Sequence, residues 1–273
     1  MDADDELRAQ AAAQEAEIEG IVKSRPLIGP KARDFVSDSE MRQILHRKTQ
    51  ESGFESLREE LEGTEAFVRK IPSLESKYTG IRHVRGDGNC FYRSFVFRMF
   101  EVARTDNALR TRLLDVAREA LPYLTDVGYE EVSIETFTDF CVETLESLDK
   151  LSQEDLEVLF GEDGESDYLV WFGRLACAGF LKHQPDRFLP FIPESFCDMN
   201  SFCSREVEPM GKEADQPQVI ALAEYWQLRV CVEYIDSSDE STTSTHVFGP
   251  GDDDAPGDIC LLYRPGHYEI IYA

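Results

Sequence analysis

No run of this chain approaches the roughly 20 consecutive apolar residues that a bilayer-spanning helix needs, so no membrane segment is expected. Basic residues are scarce too. Only 28 Lys and Arg stand against 54 Asp and Glu, which leaves a net charge of −26. A surface that acidic repels phosphate backbones and anionic headgroups, which argues against nucleic acid and membrane partners. It suits a basic protein partner, and it also serves plain solubility. Met1-Asp2-Ala3-Asp4-Asp5-Glu6 has neither a basic n-region nor an apolar h-region, so no secretory leader is expected. Cysteine pairing signals are missing as well. The seven cysteines (Cys90, Cys141, Cys177, Cys197, Cys203, Cys231 and Cys260) are odd in number and none has CxxC spacing. That argues against a disulfide framework and a zinc site and for reduced thiols of the cytosol or nucleus, one of them reactive. No metal and no organic cofactor are expected.

What is present can build a core: 42% of the residues are apolar, with 17 Phe and 10 Tyr. The length suits one large domain, or one domain with an extension. Residues 4–23 are rich in Ala, Glu and Gln and carry a thin apolar stripe, Leu7, Ala11, Ile18 and Val22, ending before Arg25-Pro26. This segment reads as a polar helix, equally a frayed terminus or an arm that orders on a partner. Residues 38–78 read as short helices with Met41, Ile44, Leu45, Phe54, Leu57, Leu61, Phe67 and Val68 facing a core. Ile81-Arg82-His83-Val84 reads as extended, and further helices are predicted from Phe91 to about Val102 and near 106–121, 133–149, 152–160, 167–182 and 217–226. Strands follow at residues 228–234, 246–248, 259–263 and 268–272, the last two joined through Arg264-Pro265-Gly266. Helices first and antiparallel-looking strands last give an α+β class.

Chemistry concentrates in Gly86-Asp87-Gly88-Asn89-Cys90. Two glycines around an aspartate allow a tight loop, and an apolar helix starts at the cysteine. Unpaired amides and the positive end of the helix dipole gather there, favouring a thiolate nucleophile and offering an oxyanion hole. A Gly-rich turn before an inert buried cysteine is the alternative. A thiolate peptidase needs a base, and the chain has His46, His83, His183, His246 and His267. His267 starts the last strand, and Glu269 shares its face two residues on, as a carboxylate that could orient the imidazole. By itself the pair reads more readily as a surface ion pair on an edge strand, and the catalytic reading needs the fold to bring Cys90 and His267 together. His83 is the rival base, but the strand carrying it would have to double back to reach the thiol. His183 follows a helix end, His46 lies in a basic helical segment, and His246 starts a strand that could line a cleft.

Gly86-Asp87-Gly88-Asn89-Cys90-Phe91-Tyr92-Arg93 resembles the nucleophile motif of ovarian-tumour-type (OTU) deubiquitinases, the otubains in particular. Leu261-Leu262-Tyr263-Arg264-Pro265-Gly266-His267-Tyr268 resembles their histidine motif. Ser166-Asp167-Tyr168-Leu169-Val170, Phe202-Cys203 and Val207-Glu208-Pro209-Met210 are similar to otubain segments in the right order. The resemblance implies a papain-like α+β fold of the OTU type, with a helical N-terminal part packed on a small, mainly antiparallel sheet. It divides the chain into an acidic arm and linker (1–36) and a catalytic domain (37–273, with the OTU core about 79–273). It implies a monomeric isopeptidase acting at the ubiquitin C-terminus, in the cytoplasm and also the nucleus, on ubiquitin and polyubiquitin chains. Cys90 is the implied nucleophile, His267 the base and Asp87 a loop-shaping member of the active site, with Glu269 as orienter. Met210, His246, Phe191 and Gln216 are assigned to substrate binding. By the same resemblance the arm could contact an acceptor ubiquitin or a ubiquitin-charged conjugating enzyme. The alternatives are a mainly non-catalytic module that binds ubiquitin and conjugating enzymes, and a peptidase for a ubiquitin-like modifier. Two departures stand out. Glu269 occupies a place where otubains usually carry Asp or Asn, and Asp215-Gln216-Pro217-Gln218 replaces their usual Asp-His-Ile-His.

Overall fold

The computed structural model of the chain describes residues 53–161, 165–238, 240–251 and 257–273. The expected N-terminal arm, the boundary at residue 37, His46 and the core positions Met41, Ile44 and Leu45 lie outside the described residues. Three short helices come first: α1 (Glu55–Glu60), α2 (Glu65–Val68) and α3 (Ile71–Glu75). After strand β1 (Gly80–Arg82) come α4 (Cys90–Thr105), α5 (Asn107–Arg118), α6 (Ala120–Asp126), α7 (Glu131–Ser147) and α8 (Gln153–Leu159). Then follow α9 (Ser166–His183), α10 (Pro185–Phe188), α11 (Met199–Phe202) and α12 (Gln216–Trp226), and the chain closes with β2 (Val230–Tyr234), β3 (Ser244–Phe248), β4 (Ile259–Arg264) and β5 (His267–Tyr272). No described helix is long and apolar enough to cross a membrane.

Helix α4 is the central element. Phe91, Tyr92, Phe95, Val96, Phe97, Met99, Phe100 and Ala103 are all buried, because the helix is packed against β5 and β4 on one side and α9 on another. A helix apolar nearly all round belongs in a core. It stops at Asp106, whose extended backbone ends the helical run and whose carboxylate accepts from Ala108 N and Leu109 N to cap α5. The segment 215–218 also has a local structural role: Asp215 and Gln218 form a capping box around Pro217 at the start of α12.

The sheet order is β1-β5-β4-β2-β3. Three of its four pairings are antiparallel, as expected, while β2 pairs parallel to β4, with Val230 opposite Ile259 and Tyr234 opposite Tyr263. The parallel step arises because β3 turns to the outer edge and the chain must cross back before β4. One sheet face meets α4. The other covers a smaller cluster of Phe54, Leu57, Leu61, Ile71, Leu74, Tyr78, Ile81, Ile235, Leu262 and Ile271, with Phe67 and Val68 packed against it. The sheet thus places α4 on one side of the β4–β5 hairpin and α1 on the other.

Candidate active site

Cys90 is the first residue of α4 and is buried, 3% exposed. The preceding loop is held from two directions. Gly88 has φ +75°, and a Cβ there would sit 2.0 Å from the Gly211 carbonyl oxygen, so only glycine fits. Asn89 caps α4 without lending its side chain to the helix, because Oδ1 accepts from Gly211 N (2.9 Å) and from Arg174. The first-turn amides of α4 have no acceptor within the helix, so they are suited to receive a developing oxyanion. Arg174 of α9 is fully buried. It donates to Asn89 Oδ1 (2.6 Å) and to the carbonyls of Gly88 (3.1 Å), Val207 (2.8 Å) and Lys212 (2.7 Å), and it lies over the Tyr92 ring. Asp87 accepts from Asn89 N (3.0 Å) and from Arg93 (2.9 Å), which also reaches Asp167 (3.1 Å). Burial alone would raise the Asp87 carboxyl, but the Arg93 guanidinium and the Asn89 bonds hold it below its ordinary value.

The base arrives on the β4–β5 hairpin. Pro265-Gly266 makes the two-residue turn, with Gly266 at φ +79° and Arg264 opposite His267. Tyr268 N donates to Cys90 Sγ at 3.4 Å, and the His267 imidazole lies close enough to Cys90 for the thiol to favour its charged form. Its Nε2 lies 3.6 Å from Glu269 Oε1, and its Nδ1 lies beside Gly86 of the loop that leads to Cys90. Burial alone would lower the imidazole, but hydrogen bonds and charge from Cys90 and Glu269 outweigh it and lift His267 to about 9. Glu269 is 1% exposed. Its burial opposes ionisation, yet the nearby His267, the hydrogen bond with His83 and the nearby Arg264 bring it to about 2. The extra methylene therefore does not turn the carboxylate outward.

Sequence patterns missed the other partners of Glu269. His83 does not approach the thiol; its Nδ1 lies 2.7 Å from Glu269 Oε1, and its Nε2 lies 2.8 Å from Ser56 Oγ. Its cross-strand carboxylate could have been found only from the β1–β5 register. Arg264, inside the histidine motif, bonds Glu60 at 2.7 Å and lies 3.6 Å from Glu269. Glu60, His83 and Glu269 bring three potential ligand atoms within 4.8 Å of one another, but the Arg264 guanidinium already supplies the positive charge between the two carboxylates. Asn89 carried no sequence signal beyond its place in the nucleophile motif, and Arg174 lies outside every motif.

The residues assigned to substrate binding fall at three places. Met210 packs on the main core beside Gly211, whose carbonyl meets Gly88. Phe191 (74% exposed) and Gln216 line a groove with Phe188, Pro217 and Ile220. His246 is exposed on edge strand β3, its ring 4.9 Å from Tyr234, which begins a row of rings through Tyr263 and Tyr268 to Phe91. His183 is remote in role: it ends α9, stacks on Tyr123 and bonds the Tyr123 carbonyl (3.0 Å).

A cysteine at a helix N-terminus, an imidazole beside it and a buried carboxylate behind the imidazole make an arrangement of the papain type in an α+β fold. The model of the peptidase C65 otubain family matches residues 31–273. The human protein named ubiquitin thioesterase OTUB1 is 38% identical over 216 residues, which cover 79% of this chain and 78% of that protein. An Arabidopsis thaliana protein named ovarian tumor domain-containing deubiquitinating enzyme 1 is 35% identical over 229 residues, 77% of this chain and 75% of the relative. A solved structure described as h/ceOTUB1–ubiquitin aldehyde–UBC13~Ub superposes with a TM-score of 0.76 at 29% identity, covering 97% of both chains. A second, described as a ceOTUB1 ubiquitin aldehyde UBC13~Ub complex, gives 0.77 at 30% identity over 86% of this chain and 99% of that one. The chain belongs to the otubain family.

Proposed function

We propose that this chain is a thiol-dependent isopeptidase that releases the ubiquitin C-terminus from lysine amines, with Cys90 as nucleophile and His267 as acid–base. The observation that carries it is the Cys90 sulfur at the head of α4, bonded by the Tyr268 amide with His267 beside it, in a chain of the otubain family. The Cys90 thiolate attacks the isopeptide carbonyl carbon, and first-turn amides of α4 hold the oxyanion. His267 protonates the departing lysine nitrogen, leaving a thioester on Cys90. His267 then takes a proton from water, which attacks the thioester and frees the carboxylate and the thiol. A sulfur this buried is reached most easily by a chain end without side chains, which suits a tail ending in two glycines. Asp87 shapes the loop through Arg93 and Asn89. Met210, Phe191, Gln216 and His246 are assigned to contact with the ubiquitin body, and the net charge of −26 favours the basic face of such a partner.

The test is a panel of differently linked di-ubiquitins with the parent and Cys90→Ser. Cleavage by the parent alone is expected; equal cleavage by both would sink the assignment. A second role is favoured by the structural neighbours, which are described as complexes containing UBC13~Ub. We infer that residues 1–36 contribute to contact with a charged conjugating enzyme. Their deletion should weaken inhibition of ubiquitin transfer while sparing hydrolysis of a simple ubiquitin amide. The free state of all seven thiols supports a cytoplasmic and nuclear location, which fractionation checks.

A further inference from the structure

Glu269 is held more closely by a second histidine than by the one it orients. Its Oε1 is 2.7 Å from His83 Nδ1 and 3.6 Å from His267 Nε2. We propose that His83 is a positioning residue for the hydrolytic reaction: it pins the Glu269 carboxylate from the side away from His267, so that the longer Glu side chain presents its oxygen to the imidazole. This rests on the catalytic assignment of Cys90 and His267 above.

The backbone makes the pairing. β1 and β5 align Ile81 with Ile271 and Arg82 with Ile270, so the same register carried one residue on sets His83 opposite Glu269. A carboxylate can only accept, so His83 Nδ1 bears the shared proton. His83 is itself fixed by Ser56 Oγ at Nε2. Ser56 and Glu60 lie four residues apart on α1 and present one face to the hairpin. The polar and charged groups around His83 are therefore Ser56, Glu60, Glu269 and Arg264. The Glu269 hydrogen bond, working against burial, raises the imidazole above its ordinary value, so the charged form of His83 is favoured beside the carboxylate. Glu269 Oε2 is buried with no hydrogen-bond partner. The carboxylate thus depends on the contacts at Oε1 for its orientation, and His83 makes the shortest of these.

The experiment compares the full-length parent with His83→Ala, His83→Asn, Glu269→Ala and the His83→Ala/Glu269→Ala double variant. Asparagine places an uncharged N–H near the position of Nδ1. Di-ubiquitin hydrolysis gives kcat and KM, and circular dichroism checks folding. Alkylation of Cys90 by iodoacetate across pH reports on His267, because the anionic reagent reacts fastest while the imidazolium is present. His83→Ala should lower kcat about tenfold with KM within about twofold, the size expected for a misplaced catalytic group. The alkaline limb of its alkylation should move down by roughly half a pH unit. His83→Asn should recover most of the rate, and His83→Ala should add less than about twofold once Glu269 is gone. The proposal is overturned if His83→Ala leaves rate and limb unmoved, if its loss persists in the Glu269→Ala background, or if asparagine rescues nothing. Alkylation needs no ubiquitin: a shifted limb in a parent that cleaves no di-ubiquitin would uphold His83 and remove the substrate assignment.

Discussion

On the nucleophile side, a buried arginine ties four residues of two loops together and lies over Tyr92. On the base side, His267 relies on a two-residue turn, a 3.6 Å approach to Glu269 and a half-buried His83. The first region is over-determined, and removing any one contact leaves several. The second has few contacts, each from a different part of the chain. A cysteine peptidase needs its sulfur in a fixed relation to the oxyanion donors, whereas its histidine must serve two successive proton transfers. Tight packing under the thiol and lighter support under the imidazole suit those tasks.

Chemistry and scaffold should separate first. Cys90→Ser and His267→Ala should each lower kcat/KM on di-ubiquitin about a thousandfold or more, about 4 kcal/mol, and Cys90→Ser should do so with an unchanged melting temperature. Arg174→Met should reverse that pattern. It leaves the Asn89, Gly88, Val207 and Lys212 acceptors unpaired in a dry interior, at a cost of about 3 kcal/mol. In a chain this long that lowers the melting temperature by roughly 10 °C. A calorimetric scan in which Arg174→Met melts with the parent would show that the two regions are not held differently.

The contrast also explains what could be read from the sequence. The nucleophile loop is contiguous, so glycine, aspartate and the following apolar helix announce it within a few residues. His267 and Glu269 were legible because strand alternation puts them on one face, and the Pro265-Gly266 turn marks the hairpin. His83 was visible only as a rival base. Its true partner is fixed by the β1–β5 register across a separation of 186 positions, which no local pattern encodes. Arg174 read as one polar residue in an apolar helix, because its value lies in carbonyls contributed by residues 88, 207 and 212. The parallel β2–β4 pairing was missed because alternation gives a strand its faces but not its direction.

A change to Glu269 should weaken the base side without destroying it. Glu269→Ala is expected to cost about tenfold in kcat/KM, well short of the loss in His267→Ala, since the orienting carboxylate contributes less than the Cys–His pair. Equal losses in the two variants would mean that the carboxylate does more than orient.

The smallest expected effect is the sharpest probe of the light support under the imidazole. His267 is lifted to about 9, chiefly by Cys90 and Glu269 acting against burial. The active thiolate–imidazolium pair needs that proton, so kcat/KM should hold through neutral pH and fall as pH rises through about 9. The sign for stability is the same. A histidine with a raised folded value contributes fully below its ordinary value of 6.5, and the contribution is lost as pH rises through about 9. Glu269→Gln keeps the shape but removes the negative charge, so the limb should move toward neutral by less than about one unit. A pH–rate profile of ubiquitin-amide hydrolysis measures it. An unmoved limb would mean that Cys90 alone sustains the imidazolium, and the lightly held side of the site would then depend on its carboxylate for geometry and not for charge.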